Sequence, residues 1–131
     1  MPIHHISIPV RDVAASKAFY TAVLQSLTYG VYKDLGNSVG FAPPGGRADF
    51  WIHASPEAGH EKQNRNLNII THVAFAGKSE KDVEDFHAAA LAAGAKCNGP
   101  PGFRPVYHEK YYGAFILDLD GNNIECVYYD M

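Results

Sequence analysis

The chain repeats itself, and that repetition limits its fold more than any single motif does. A shift of 67 residues carries His5 onto His72, Ile6 onto Val73 and Ile8 onto Phe75. The same shift carries Phe19 onto Phe86, Ala22 onto Ala89 and Leu24 onto Leu91, while Val10 meets Gly77 and breaks the match. In each half these positions fall on a strand and on the helix after it. A half of roughly 60 residues has too little apolar surface to fold well alone. The expectation is therefore one α+β domain over 1–131, with modules at about 1–54 and 69–131 sharing a core.

Local patterning fills in the modules. Ile6, Ile8 and Val10 alternate with His5, Ser7 and Pro9, which predicts a strand over 3–10. Pro9 has no N–H to give and so favours an edge strand or a strand end. Asp12 stands at a helix N-cap, and Val13, Phe19, Val23 and Leu27 keep helical spacing over 13–27. Strands are predicted over 29–33, 38–42 and 49–54, with Asp34-Leu35-Gly36-Asn37 and Pro43-Pro44-Gly45-Gly46 as the breaks. A polar, aperiodic linker covers 55–67. The second module opens with a strand over 69–76. A capping box at Ser79-Glu80-Lys81-Asp82 starts a helix whose stripe is Val83, Phe86, Ala90 and Leu91, with Gly94 at C′. Residues 97–104, rich in Gly and Pro, carry no strand expectation. Strands over 111–119 and 123–129 close the chain around an Asp120-Gly121-Asn122 turn.

Composition narrows the function classes. The net charge is −3 and no basic block is present, which disfavours nucleic acid and anionic membrane as partners. No apolar run approaches the roughly 20 residues of a membrane helix. The N-terminus lacks a signal-peptide pattern. Two cysteines, Cys97 and Cys126, make no disulfide framework, so a reduced, cytoplasmic protein is expected.

Histidine is where the repeat turns chemical. His5 and His72 hold the same position in the opening strand of each half, and imidazole is the commonest metal ligand. Glu125 is the only charged residue within an apolar final strand, where a lone carboxylate is costly unless paired or metal-bound. Two histidines and a carboxylate make a facial triad. The alternatives are hydrogen-bonded strand histidines and a Glu125 paired to Lys or Arg across a strand. The segment 100–112 collects Phe103, Arg104, Tyr107, His108, Tyr111 and Tyr112, residue types that suit a pocket wall, or else a surface loop packed on the sheet. Trp51 on an inward strand face suits core or pocket wall. His4 and His60 are expected to be exposed and His87 to face solvent.

Three stretches carry a family resemblance: His5-Ile6-Ser7-Ile8-Pro9-Val10-Arg11-Asp12 with Ser16, Phe19 and Tyr20; His72-Val73-Ala74-Phe75; and Asp118-Leu119-Asp120-Gly121-Asn122-Asn123-Ile124-Glu125. With these the chain resembles the vicinal oxygen chelate superfamily, which includes glyoxalase I, fosfomycin-resistance and bleomycin-resistance proteins and extradiol dioxygenases. The last stretch matches the family's D-P-D-G-N-x-x-E, with Leu119 in place of proline. The resemblance implies two βαβββ modules in a cup-shaped mixed sheet, a small-molecule substrate and a homodimer. It implies a divalent metal ion (Zn, Ni, Mn or Fe) on His5, His72 and Glu125.

Activity within the family is implied as a glyoxalase-like lyase or isomerase that chelates adjacent substrate oxygens. The alternatives are an Fe(II) extradiol-type dioxygenase and a metal-free binder of the bleomycin-resistance type. Glyoxalase I adds a glutamate from the fourth strand of its first module, where this chain has Trp51 or His53. The dioxygenases carry a tyrosine about ten residues before the glutamate, where this chain has Phe115. His53 and His108 are the candidate bases. Trp51, Phe103, Arg104, Tyr107, Tyr111 and Phe115 are the candidate substrate contacts.

Overall fold

The computed structural model describes residues 3–55 and 71–129. The chain divides into two compact units, Met1–Ile69 and Ile70–Met131. Each is a βαβββ module with one four-stranded mixed sheet, so the fold is α+β with a repeated module. No helix among the described residues is long and apolar enough to cross a membrane.

In the first unit, β1 is Ile6–Val10, α1 Val13–Leu24, β2 Gly30–Asp34, β3 Ser38–Ala42 and β4 Phe50–Ala54. The sheet order is β1-β4-β3-β2. β1 runs parallel to β4 at the sheet edge, where the missing N–H of Pro9 is harmless. One face is apolar and lies under α1. Ile8, Val10, Val39, Phe41, Phe50 and Ile52 are buried there with Phe19, Tyr20, Val23 and Leu24 of the helix. Tyr20 meets Phe50 edge to face at 5.1 Å between ring centres. The helix stops short of its predicted end. A 3-10 turn over Gln25–Leu27 tightens the C-terminus, and Thr28 exits with a positive φ of 65°.

The second unit follows the same plan: β5 His72–Ala76, α2 Glu80–Ala92, β6 Lys96–Phe103, β7 Tyr111–Leu117 and β8 Asn123–Tyr129, in the order β5-β8-β7-β6. α2 packs on β6, β7 and β8. Phe75, Ala114, Ile116, Ile124 and Cys126 are buried with Val83, Phe86 and Ala90 of α2. The two helices begin at equivalent caps. The Asp12 carboxylate accepts the N–H of Ala15, and the Ser79 hydroxyl accepts that of Asp82. Gly94, with φ 107°, follows α2 as its C′ residue.

Three further expectations differ from the structure. Residues 96–103 form a strand despite Gly99, Pro100, Pro101 and Gly102. β6 is an edge strand, and its pairing with β7 slips twice, between Cys97 and Gly99 and between Gly99 and Gly102. Prolines are tolerated at such irregular edges because no ladder N–H is demanded there. β7 ends at Leu117 because the Asp118 carboxylate turns back to accept the N–H groups of Asp120 and Asn122. His87 is half-buried, its Nε2 3.2 Å from Cys97 Sγ, rather than turned to solvent. Burial holds its imidazole below its ordinary pKa. His60, most of the linker and the predicted start of β5 lie outside the described residues.

Candidate metal and substrate site

Each sheet has a second face, turned away from its helix, and strand register decides what stands there. In the first unit Ser7 pairs with Trp51, and Trp51 with Gly40. In the second Ala74 pairs with Glu125, and Glu125 with Phe115. The repeat shift carries Ser7 onto Ala74, so Trp51 is the counterpart of Glu125 and Gly40 that of Phe115. Register thus resolves the choice between Trp51 and His53, whose counterpart is Val127.

The second unit builds the denser constellation. Glu125 is only 2% exposed although it sits on the helix-free face. Its Oε1 lies 3.1 Å from Nε2 of His72, which β5 presents at its first residue. Its Oε2 accepts a short hydrogen bond from the Tyr111 hydroxyl. Gly113 leaves the space for this contact, because a Cβ there would come 3.1 Å from Oε2 and 3.3 Å from the Tyr111 ring. Burial first, then the bond to Glu125, raises the Tyr111 pKa, so the phenol keeps its proton.

The hydrogen-bond pattern of His72 carries a chemical consequence. Its Nδ1 lies 3.2 Å from the Asn123 carbonyl, an acceptor, so Nδ1 holds a proton. Its Nε2 faces a carboxylate oxygen, also an acceptor. Two lone pairs do not face each other at 3.1 Å, so a proton or a cation belongs between them. Ligand atoms about 2.0–2.2 Å from a cation stand roughly 2.8–3.1 Å apart at the 90° angles of an octahedral site and roughly 3.3–3.6 Å apart at tetrahedral angles. At 3.1 Å the pair matches the octahedral spacing and stands closer than a tetrahedral one. The carbonyl behind Nδ1 and the phenol behind Oε2 are outer partners of the kind that orient metal ligands.

Aromatic and basic groups extend the row. Phe115 stacks on His72 at 6.1 Å and 20° between planes, and the Arg104 guanidinium lies 5.4 Å from the Phe115 ring centre. Tyr107 and Tyr129 pack on Tyr111, and His108 packs on Tyr129 at 4.7 Å. His108 Nδ1 accepts the N–H of Lys110. Phe103 falls outside this group. It is 53% exposed and meets Tyr112, whose hydroxyl donates to Glu84 of α2. Cys126 lies on the helix side, where burial pushes its thiol up to about 12 and disfavours the thiolate.

The first unit carries the other candidates. His53 Nδ1 is 2.6 Å from the Ser7 hydroxyl. Trp51 lies close over Gly40, where a Cβ would fall 2.7 Å from the indole. His5, one residue before β1, is exposed, with its Nδ1 2.8 Å from that of His4. Within either unit, no three described His, Cys, Asp or Glu residues gather as a metal cluster. Sequence reasoning missed Ser7, Gly113, the Asn123 carbonyl and Tyr129. Gly113 left a signal, a lone glycine inside a bulky strand.

The comparisons agree with this architecture. The family model for the Glyoxalase/Bleomycin resistance protein/Dioxygenase superfamily matches residues 2–126, and the chain belongs to that superfamily. Among solved structures, a glyoxalase/bleomycin resistance protein from Albidiferax ferrireducens T118 is 30% identical, with a TM-score of 0.76 over 99% of this chain and 100% of that one. A glyoxalase/bleomycin resistance protein/dioxygenase family enzyme from Burkholderia phytofirmans PsJN is 19% identical, with a TM-score of 0.70 over 98% of each chain. The fosfomycin resistance protein FosX from Mesorhizobium loti is 16% identical, with a TM-score of 0.67 over 97% of this chain and 91% of that one. The last two likenesses are of fold. No curated protein matches the sequence.

Proposed function

We propose that this protein is a divalent-metal-dependent enzyme that takes a small substrate through two adjacent oxygens, with glyoxalase-like lyase or isomerase chemistry. The observation that carries this reading is the His72–Glu125 pair. It is a buried carboxylate and an imidazole set ligand-distance apart, each fixed from behind by an outer hydrogen bond. His5, the repeat counterpart of His72, is the third ligand that the family resemblance implies, and zinc, nickel, manganese or iron suits such a set. Such a cation, when bound, supplies Lewis acidity toward the chelated oxygens and the enolate or oxyanion they become.

The chain's own groups have separate tasks. Tyr111 holds Oε2 of Glu125 and leaves Oε1 as the coordinating oxygen. Phe115, stacked on His72, and Tyr107, packed on Tyr111, offer apolar walls that exclude water. His53, held by Ser7, takes the substrate proton. His108 accepts at Nδ1, so its neutral form carries a proton on Nε2 and donates from there. Membership of a family that includes enzymes supports the reading, and FosX lends the fold one example of a resistance protein. A cytoplasmic homodimer completes it, in keeping with the free thiols of Cys97 and Cys126.

A second reading, a metal-free binder of an aromatic ligand, draws on the direct contact by which His72 and Glu125 satisfy each other. Element analysis of freshly purified protein separates the two. The enzyme reading predicts about one divalent cation per chain and turnover lost on chelation. A protein that stays free of metal and takes none up sinks it. Oxygen uptake with catechols would move the assignment to the Fe(II) dioxygenases, and His53→Ala with full turnover would remove His53 as the base.

A further inference from the structure

Arg104 is held through both its backbone and its side chain. Its backbone N–H donates to the Tyr111 carbonyl at 2.8 Å, and its own carbonyl accepts the N–H groups of Tyr107 and His108, so the turn after β6 is tied at this residue. Its side chain doubles back over β6, where Nη2 donates to the Pro100 carbonyl at 2.6 Å. That path exists because β6 has glycine twice. A Cβ at Gly99 would sit 3.2 Å from Nη2, and one at Gly102 would sit 3.1 Å from Nη1. The guanidinium ends over Phe115, which stacks on His72 and pairs in register with Glu125. A row of groups thus crosses one face of this sheet, from the arginine to the candidate metal ligands.

Among the described residues no carboxylate forms an ion pair with Arg104, and one backbone carbonyl is the only acceptor of its side chain. A guanidinium has five N–H donors in a planar fork that suits a carboxylate. A fork held still loses little further freedom when it binds, which favours recognition.

The geometry points to Arg104 as the residue that recognises a carboxylate on the substrate, at the end away from the chelated oxygens. The substrate class is then an anionic metabolite with a vicinal oxygen pair and a carboxylate tail, with the Phe115 ring spanning the interval. This inference rests on the proposed chelating function and deepens it.

Two hydroxamates test it on the metal-loaded full chain by calorimetry. Acetohydroxamic acid offers the oxygen pair alone, and succinic acid monohydroxamate adds a carboxylate tail. A charge-assisted fork bond predicts about tenfold or more tighter binding of the tailed probe. That ratio falls to about one in Arg104→Gln and recovers only in part in Arg104→Lys, which keeps the charge without the fork. Gly102→Ala, whose Cβ would stand 3.1 Å from Nη1 and so shifts the guanidinium while leaving its charge, also lowers the ratio. If both probes bind the native chain equally, or the ratio survives Arg104→Gln, the carboxylate assignment is wrong while chelation stands. If neither probe binds the metal-loaded chain, the chelating function fails and the assignment goes with it.

Discussion

The two units share a frame and differ in what they hang on it. On the helix-covered faces, equivalent positions are apolar in both, with Ile8 and Phe75, Phe50 and Ile124, and Ile52 and Cys126 all buried. On the opposite faces nearly everything has diverged. Trp51 stands where the other unit has Glu125, Gly40 where it has Phe115, and His53 where it has Val127. The lesson is physical. Close packing of the covered face holds the register, and a fixed register leaves the open face free to take up chemistry. The second unit placed a buried carboxylate there, with imidazole, phenol and guanidinium around it. The first kept an indole lying over a glycine and a Ser7–His53 pair.

Core truncation should give the largest effect and test whether the units are one cooperative body. Phe50→Ala and Phe86→Ala each remove a fully buried ring and should cost about 3–5 kcal/mol. In a single domain both variants shift one shared denaturation midpoint, and two separate transitions would break that expectation. Next comes Glu125→Gln, nearly isosteric and read by metal titration. It should weaken cation affinity by at least about 100-fold, more than a lost outer partner would, whereas Trp51→Phe should leave affinity within about twofold on the same scale. Equal losses at the two counterparts would erase the asymmetry between the units.

Gly40→Ala acts on the first unit alone. Its Cβ must displace the Trp51 indole and should cost about 1–3 kcal/mol, with a shift in tryptophan emission. The caps should be the matched pair: Asp12→Ala and Ser79→Ala each cost about 1 kcal/mol by chemical denaturation. The smallest effect is at alkaline pH. Burial, then the bond to Asp49, raises the Tyr29 pKa above its ordinary 10.0. The folded state therefore holds this proton when the unfolded state has lost it. Stability from Tyr29 is complete below about pH 10 and is lost as pH rises toward the raised folded value. Tyr29→Phe should flatten the fall in the denaturation midpoint above pH 10.

Much of this architecture was legible in the sequence because it rests on short-range signals. The repeat shift, the caps at Asp12 and Ser79, and Gly94 after α2 all mark real boundaries. β6 was hidden because two prolines and two glycines read as a break, and only its edge position with slipped pairing makes them tolerable. His72 and Glu125 could be named because their types and positions are unusual. Their partners could not. A backbone carbonyl at Asn123 and the room left by Gly113 arise from strand register, which local pattern does not specify. Phe103 and Arg104 are neighbours in sequence yet serve opposite faces, a consequence of strand alternation at the end of β6.

Anomalous diffraction at the edge of the bound element, from crystals of protein purified without chelators, tests the central claim most directly. One cation should stand within about 2.0–2.2 Å of His72 Nε2 and Glu125 Oε1. Crystals grown with excess divalent metal that still show His72 and Glu125 in direct contact, with no anomalous peak between them, would contradict it.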